Sequence, residues 1–213
     1  KLAGARAVEL VLEREAALPS PEVKLEMLKL TIETLTAHGY VYIGMDHFAR
    51  ATDELAVAQA AGTLQRNFQG YSTRAGVEIM AFGISAISQT PASYRQNHKT
   101  LGAYYEALDR GEAPVSRGLE LTPEDARRRD LIMRLMCDLK LDYTALSREL
   151  DLDFAATYAP ELARLQPLAA DGLVELKPTG MRVTEAGRLF LRNIAVCFDA
   201  HFTAQSRQHA RAV

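Results

Sequence analysis

Three ionisable residues that follow a short apolar segment are the first candidates for chemistry. Asp46, His47 and Arg50 come directly after residues 40–45, whose β-branched and aromatic side chains predict a strand. A carboxylate and an imidazole can orient a substrate or relay a proton, and an arginine can pair with a carboxylate through two hydrogen bonds. In α/β barrels, the ends of buried parallel strands hold such groups at the mouth of the sheet. The segment therefore predicts a substrate site; the alternative is structural, with Asp46 as a helix cap and Arg50 paired with a local acid.

A polar loop and a second apolar segment supply further candidates. Phe68 could stack on a flat ring such as a purine, and Gln69 could bond to a purine edge or a ribose hydroxyl. Residues 77–87 predict a continuous strand, and the small residues near its end would let a ligand approach the backbone. The segment lacks the glycine spacing and the lysine of a phosphate loop. The alternatives are packing of the loop and a plain buried strand.

Helix signals identify the elements that must position these residues. Ser20 and Pro21 predict the start of a helix over residues 21–37, and Gly39 predicts its end. Helical spacing is also present at residues 2–17, and shorter helices are expected over 52–62 and 100–109. A helix followed by a glycine and an apolar strand is typical of a βα unit, so we expect an α/β fold in this half.

The pattern changes from residue 121 onwards. Thr122 and Pro123 predict a strong helix start. A short helix near 143–149, a longer one over 154–170, a hairpin around Thr179–Gly180 and a final helix over 185–201 complete a winged-helix-like plan. The third helix of that plan is too acidic to neutralise nucleic-acid phosphates well.

The composition excludes several classes of protein. The chain has 213 residues, a net charge of -2 and no run of eighteen apolar residues, so neither nucleic-acid binding nor a membrane span is expected, and a cytoplasmic location is the default. Its two cysteines, Cys137 and Cys197, are sixty residues apart and have no neighbours at metal-ligand spacing. We therefore predict two buried thiols and no metal site. The first residue is Lys1, which suggests a trimmed chain.

The order and spacing of several strings resemble the oxygen-independent coproporphyrinogen III oxidases, which are radical S-adenosylmethionine enzymes of haem biosynthesis. The resemblance covers nearly the whole chain. The strings that carry it include Gly44-Met45-Asp46-His47-Phe48-Ala49, Asn67-Phe68-Gln69-Gly70-Tyr71, Tyr94-x-Gln96-Asn97, Arg117-Gly118, Asp171-Gly172-Leu173-Val174 and Arg192-Asn193-Ile194.

The resemblance implies a reaction and its cofactors. Family members cleave S-adenosylmethionine with a [4Fe-4S] cluster held by three closely spaced cysteines. The resulting radical starts the oxidative decarboxylation of two propionates of coproporphyrinogen III to vinyl groups. Positions matching Phe68, Gln69 and Ile87 lie near S-adenosylmethionine in the family, so the resemblance implies that these three bind the cofactor. Asp46, His47 and Arg50 stay as substrate-binding candidates, and no residue is assigned a catalytic role.

The sequence departs from the family pattern because the three-cysteine motif is absent. The resemblance therefore implies an α/β fold made of the C-terminal portion of the enzyme. Residues 1–116 would hold the last strands and helices of a partial (β/α) radical S-adenosylmethionine barrel, and 117–213 a mainly α-helical, winged-helix-like domain. We expect a missing N-terminal barrel half as partner, and no activity from the fragment alone.

Two other interpretations compete with this one. The chain could be a winged-helix regulatory or interaction module fused to a ligand-sensing α/β segment. It could also be a relative of the haem chaperones, in which His47, His98 or His201 would ligate iron.

Overall fold

Two antiparallel hairpins follow the first helix in the computed structural model of the chain, which describes residues 18–202. The helix predicted at residues 2–17 lies outside that range. Helix α1 is confirmed with the predicted bounds, and the Ser20 hydroxyl accepts a hydrogen bond from the Val23 amide at its start. The elements of this part are α1 (Pro21–Ala37), β1 (Tyr40–Gly44), β2 (His47–Arg50), α2 (Glu54–Ala61), β3 (Gln65–Asn67) and β4 (Gly70–Ser72).

Strand β1 does not have the parallel partner that the sequence predicts. Within residues 18–202 it pairs only with β2, antiparallel, with Tyr42 opposite Phe48. The reason is local: the chain reverses at Gly44 and Met45, which have φ angles of 155° and 57°. Asp46 and His47 therefore lie in a hairpin turn and not at the free end of a strand. The predicted βα unit is wrong in this respect, and all strand pairings among the described residues are antiparallel.

The continuous strand predicted at residues 77–87 is also wrong. Only an isolated bridge from Ile79 to Gln89 and the start of β5 (Ile87–Gln89) are extended and paired. Gly83 and Ser85 have φ angles of 96° and 57°, and such left-handed backbone interrupts a strand. The apolar side chains of this segment remain largely exposed, with Phe82 at 88%.

A three-stranded sheet in the order β5-β6-β7 follows this interrupted segment. It contains β5, β6 (Ser93–Asn97) and β7 (Val115–Glu120), with helix α3 (Leu101–Asp109) in the connection between β6 and β7. Both strand pairs are antiparallel. The sheet places residues 94–96 between residue 87 on one side and residues 117–119 on the other.

The C-terminal part begins with a capped helix and ends with a small sheet. Thr122 and Asp125 bond each other's backbone amides at the start of α4, which confirms the predicted helix start. The hairpin around Thr179–Gly180 is also confirmed. The elements are α4 (Pro123–Asp138), β8 (Lys140–Asp142), α5 (Tyr143–Leu150), α6 (Phe154–Thr157), α7 (Ala159–Ala170), β9 (Val174–Lys177), β10 (Gly180–Val183), α8 (Glu185–Arg188) and α9 (Leu191–Val196), with sheet order β8-β10-β9.

The final helix predicted over residues 185–201 is interrupted. Its residues form the short helices α8 and α9, because Phe190 leaves the helical region with φ -110° and ψ 22°.

Helix α4 contributes to two separate hydrophobic cores. The larger core packs α4, α5, α6, α7, the C-terminal sheet and α9 around fully buried side chains such as Leu135, Phe154 and Tyr158. The smaller core joins β1, β2, α2, β4 and Cys137, which comes from α4. No helix within residues 18–202 combines the length and the apolar character needed to cross a bilayer.

Candidate functional site

The turn between β1 and β2 holds an acid and an imidazole side by side. His47 Nδ1 lies 2.9 Å from Asp46 Oδ1, but the two atoms are not aligned for a hydrogen bond. The Asp46 side chain is 80% exposed, and that of His47 is 36% exposed. Behind the turn, the rings of Tyr42 and Phe48 stack at 5.1 Å. The turn therefore presents a carboxylate and a half-buried imidazole to solvent, and the stacked Tyr42 and Phe48 rings support the hairpin behind them.

His47 joins this turn to the β3–β4 hairpin. Its ring meets the Tyr71 ring edge to face at 5.3 Å, and its Nε2 would lie 3.1 Å from a Cβ atom added to Gly70. The Tyr71 hydroxyl donates a hydrogen bond to the Met136 carbonyl at 3.2 Å. Burial raises the pKa of Tyr71 to about 12, so its hydroxyl is a hydrogen-bond donor at neutral pH. His47 thus contacts the strand that follows Phe68 and Gln69.

Arg50 lies away from this pair. It occupies the last position of β2, opposite Tyr40, and its guanidinium lies 5.6 Å from the centre of the Tyr40 ring. Since side chains alternate along a strand, Arg50 and His47 project from opposite faces of β2. The structure brings Asp46 and His47 together and separates Arg50 from them.

Two of the three cofactor-binding candidates line one cleft. Phe68 and Ile87 border a space of about 430 Å³, although they are nineteen positions apart in the sequence. The other wall is formed by β6 and β7 of the three-stranded sheet. Its lining residues are Tyr94, Arg95, Gln96, Arg117, Gly118 and Leu119. The cleft combines aromatic and apolar surface with cationic and amide groups, as small-molecule sites do.

Gln69 belongs to the turn before β4 and does not line the cleft. The Asn67 side-chain oxygen accepts hydrogen bonds from the backbone amides of Gln69 and Gly70, at 2.9 and 3.3 Å. The Phe68 amide donates to Gln89 Oε1 at 3.3 Å. These bonds hold the Phe68–Gln69 turn against β5, so Gln69 is a neighbour of the cleft.

Sequence reasoning missed the residues that support the site. Arg188, from α8, donates a hydrogen bond to the Tyr42 carbonyl at 2.7 Å and stacks on the Tyr42 ring at 4.5 Å. No local pattern pointed to this contact, because 146 residues separate the two. Gln96 and Arg117 carried a usable signal: both belong to strings that the family resemblance rests on, and Arg117 Nε donates to Gln96 Oε1 at 2.8 Å.

The two cysteines are not placed as cluster ligands, because they are buried in different cores. Cys137 belongs to the smaller core and Cys197 to the larger core. Burial raises the pKa of both thiols, that of Cys137 to about 12, which disfavours the thiolate form. Among residues 18–202, no three histidine, cysteine, aspartate or glutamate side chains are grouped so that they could hold a metal ion.

Comparison with known proteins finds relatives that share one name. Residues 121–190 match the HemN C-terminal domain family. Oxygen-independent coproporphyrinogen III oxidase of Escherichia coli is 47% identical over 194 residues, which are 91% of this chain and 42% of that protein. The protein of the same name from Thermostichus vulcanus is 47% identical over 92% of this chain and 61% of its own length.

A solved structure supports the same relationship. Coproporphyrinogen III oxidase (HemN) from Escherichia coli, a radical SAM enzyme, superposes with a TM-score of 0.82 and 49% identity, over 88% of this chain and 43% of that one. The chain spans about two fifths of the E. coli relative's length. The resemblance seen in the sequence is therefore confirmed: over nine tenths of its length the chain is similar to part of the oxygen-independent coproporphyrinogen III oxidases, and residues 121–190 match their HemN C-terminal domain.

Proposed function

We propose that this chain supplies the C-terminal part of an oxygen-independent coproporphyrinogen III oxidase, a radical S-adenosylmethionine enzyme that decarboxylates two propionates of coproporphyrinogen III. The observation that carries the proposal is the cleft shared by Phe68 and Ile87. The resemblance assigns both residues to the cofactor, and they come together only in the folded chain. The similarity to the relatives named above supports the same assignment.

The cleft suits the adenosine part of S-adenosylmethionine. Phe68 is 55% exposed and offers a face on which a purine can stack, and Ile87 and Leu119 add apolar surface. Gln69 would contact the ligand from the turn beside the cleft. When bound with a cluster, S-adenosylmethionine supplies the radical chemistry, and the role of this chain is to bind and orient it.

The β1–β2 turn is the proposed substrate side. Asp46 can accept a hydrogen bond from a pyrrole N–H, and His47 can donate one to a propionate carboxylate. The contacts of His47 with Gly70 and Tyr71 fix its ring beside the hairpin that carries Phe68. Arg50 would act at the edge, as a carboxylate partner on the opposite face of β2.

The chain's own residues do not fit a [4Fe-4S] cluster. Such clusters take thiolate ligands from several cysteines, whereas this sequence has two cysteines in separate cores. The cluster ligands would come from the part of the relatives' sequence that lies outside the region matched by this chain. We therefore expect this polypeptide alone to be inactive as an oxidase.

The domain organisation is part of the proposal. Residues 1–116 would complete a barrel together with that additional part, which would pair with β1. Residues 117–213 would form a winged-helix-like domain, since α4, α5, α7 and the β8-β10-β9 sheet follow in the order of that plan. Cys137 and Met136 of α4 contact the first unit, so α4 would be the joint between the two.

The cofactor assignment is tested by calorimetric titration of the 213-residue chain with S-adenosylmethionine. Loss of stacking in Phe68→Ala should weaken binding by about tenfold or more. Phe82→Ala is the matched control, since Phe82 is 88% exposed and does not line the cleft. Absence of binding, or an equal effect of both substitutions, would contradict the assignment.

The activity is tested with a chimera in which this chain replaces the matching region of the Escherichia coli relative. We expect the chimera to convert coproporphyrinogen III and His47→Ala to lower its kcat/KM, with S-adenosylmethionine binding retained. An inactive but folded chimera that still binds the cofactor would argue against the proposed reaction.

A further inference from the structure

A second, larger cavity lies beside the proposed cofactor cleft. It encloses about 710 Å³ between helix α4 and the β3–β4 hairpin, within the size range of small-molecule sites. Gln65, Arg66 and Asn67 line this cavity, whereas the next residue, Phe68, lines the cleft. The hairpin is thus a wall common to both spaces. Neither the relatives' names nor the family match gives this cavity a role.

The lining of this cavity is rich in charge and predominantly cationic. Four arginines and two aspartates border it, so their formal charges sum to about +2 at neutral pH. The charged residues are Arg66, Arg74, Arg129, Arg134, Asp130 and Asp138. A concave site with excess positive charge concentrates anions from solution.

Two of the four arginines already bond to other groups of the protein. Arg129 donates hydrogen bonds to the carbonyls of Thr90 and Pro91, at 3.3 and 3.2 Å, and pairs with Asp130. Arg134 forms a two-pronged ion pair with Glu149, with both distances at 2.8 Å. These contacts fix the wall of the cavity and leave little donor capacity for a ligand.

Arg66 and Arg74 are different. Within residues 18–202, no hydrogen bond or ion pair involves either guanidinium: the Arg66 Nη1 atom has no partner, and Arg74 bonds through its backbone amide to the Ser72 hydroxyl. Arg66 lies over the Tyr71 ring at 4.7 Å, and its buried Nη1 atom has no acceptor. A half-buried guanidinium without an oxyanion is unfavourable, because burial removes its hydration and returns no hydrogen bond. Arg74 is exposed at the rim.

We propose that this cavity binds a small molecule bearing a carboxylate or phosphate group, with Arg66 and Arg74 as the anion ligands. The fork of a guanidinium matches both kinds of oxyanion through paired hydrogen bonds. The stacking of Arg66 on Tyr71 orients one fork before the ligand arrives. Arg74, which also lines the cavity and is exposed, would supply the second guanidinium.

The test is titration calorimetry of the 213-residue chain, at low ionic strength, with pyrophosphate and with citrate. We expect one-to-one binding of at least one of them, and the difference between the two identifies phosphate or carboxylate as the preferred group. Arg74→Gln should weaken binding by about tenfold, because a charge-assisted hydrogen bond is lost. Arg66→Gln should weaken it at least as much.

Arg192→Gln is the matched control. Arg192 is exposed and does not line the cavity, so the variant should bind pyrophosphate and citrate with the affinity of the unchanged chain. If Arg66→Gln unfolds the chain through lost contact with Tyr71, Arg74→Gln decides, because Arg74 is at the surface. Failure of both anions to bind at millimolar concentration, or equal weakening by Arg192→Gln, overturns the proposal. S-adenosylmethionine binding measured on the same samples keeps the two sites distinguishable.

Discussion

Gly44 shows how closely the backbone of the site is packed. It is buried at the end of β1 with a φ angle of 155°, and a Cβ atom placed on it would overlap the Tyr71 hydroxyl. Only glycine lets the Tyr71 ring lie against the turn that carries His47. The position therefore determines the distance between the two hairpins of the site.

Gly44→Ala should destabilise the chain by about 2–3 kcal/mol, from backbone strain together with displacement of Tyr71. Chemical denaturation measures this. Gly62→Ala is the control: Gly62 has a left-handed φ of 68° and nothing within 4 Å of the added carbon, so it should cost only about 1 kcal/mol. Tyr71→Phe combined with Gly44→Ala should recover part of the difference. Equal losses at both glycines would refute the packing argument.

The contact between α8 and β1 operates at the scale of whole elements. The Arg188 side chain is 16% exposed. It connects the segment that matches the HemN C-terminal domain to the β1–β2 hairpin, through one hydrogen bond and one stacked ring, both to Tyr42. The C-terminal helices therefore position a hairpin whose own strands are only four and five residues long. Short hairpins need such external support to be ordered.

Arg188→Ala should loosen this hairpin in particular. Loss of a charged hydrogen bond and its packing is expected to cost about 1–3 kcal/mol. Hydrogen–deuterium exchange should accelerate at residues 40–50 more than in α4. Arg192→Ala, which removes an exposed arginine from the neighbouring helix, should leave both segments unchanged. Uniform acceleration across the chain would mean that Arg188 contributes only general stability.

The elements with local start signals could be predicted from sequence. Helices α1 and α4 begin at Ser20–Pro21 and Thr122–Pro123. At both starts, each capping hydrogen bond joins residues that are three positions apart in the sequence. The prediction of a continuous strand at 77–87 was wrong, because an apolar run does not reveal the left-handed backbone at Gly83 and Ser85. The antiparallel pairing of β1 was missed for the same reason, because the apolar run does not reveal the positive φ angles at Gly44 and Met45 that turn the chain back into β2.

The candidate site could be predicted only in part. Asp46 and His47 follow from a strand-like pattern, and their contact is local. Phe68 and Ile87 came from family resemblance, and their shared cleft depends on β6 and β7. Arg50 was grouped with His47 by spacing, although alternation along β2 places the two on opposite faces.

The unequal sizes of the two cores matter for the molecule as a whole. The larger core contains seventeen buried residues, among them Phe154, whose ring contacts those of Tyr143 and Tyr158, whereas the smaller one contains seven, three of which are alanines. The stabilisation from apolar burial is proportional to the apolar area removed from water, so the smaller core contributes much less to the free energy of unfolding. The site hairpins depend on that smaller core.

We therefore expect unfolding to begin in the first half of the chain. In denaturant, residues 40–72 should lose exchange protection at a lower concentration than α4 and α7. Exchange followed by mass spectrometry resolves the two. Leu135→Ala should lower the protection of both regions, because α4 supports both cores, whereas Ala58→Gly should affect the first region only. A single coincident transition in all variants would show that the cores unfold together.

The β3–β4 hairpin has a consequence for any molecule that binds beside it. Residues 65–67 face one cavity, and Phe68 faces the other. A ligand that shifts the hairpin from either side changes the free energy of binding on the other side, and thermodynamics requires the effect to be reciprocal. An anion that tightened the grip on S-adenosylmethionine fivefold would itself be held fivefold more tightly by the loaded protein.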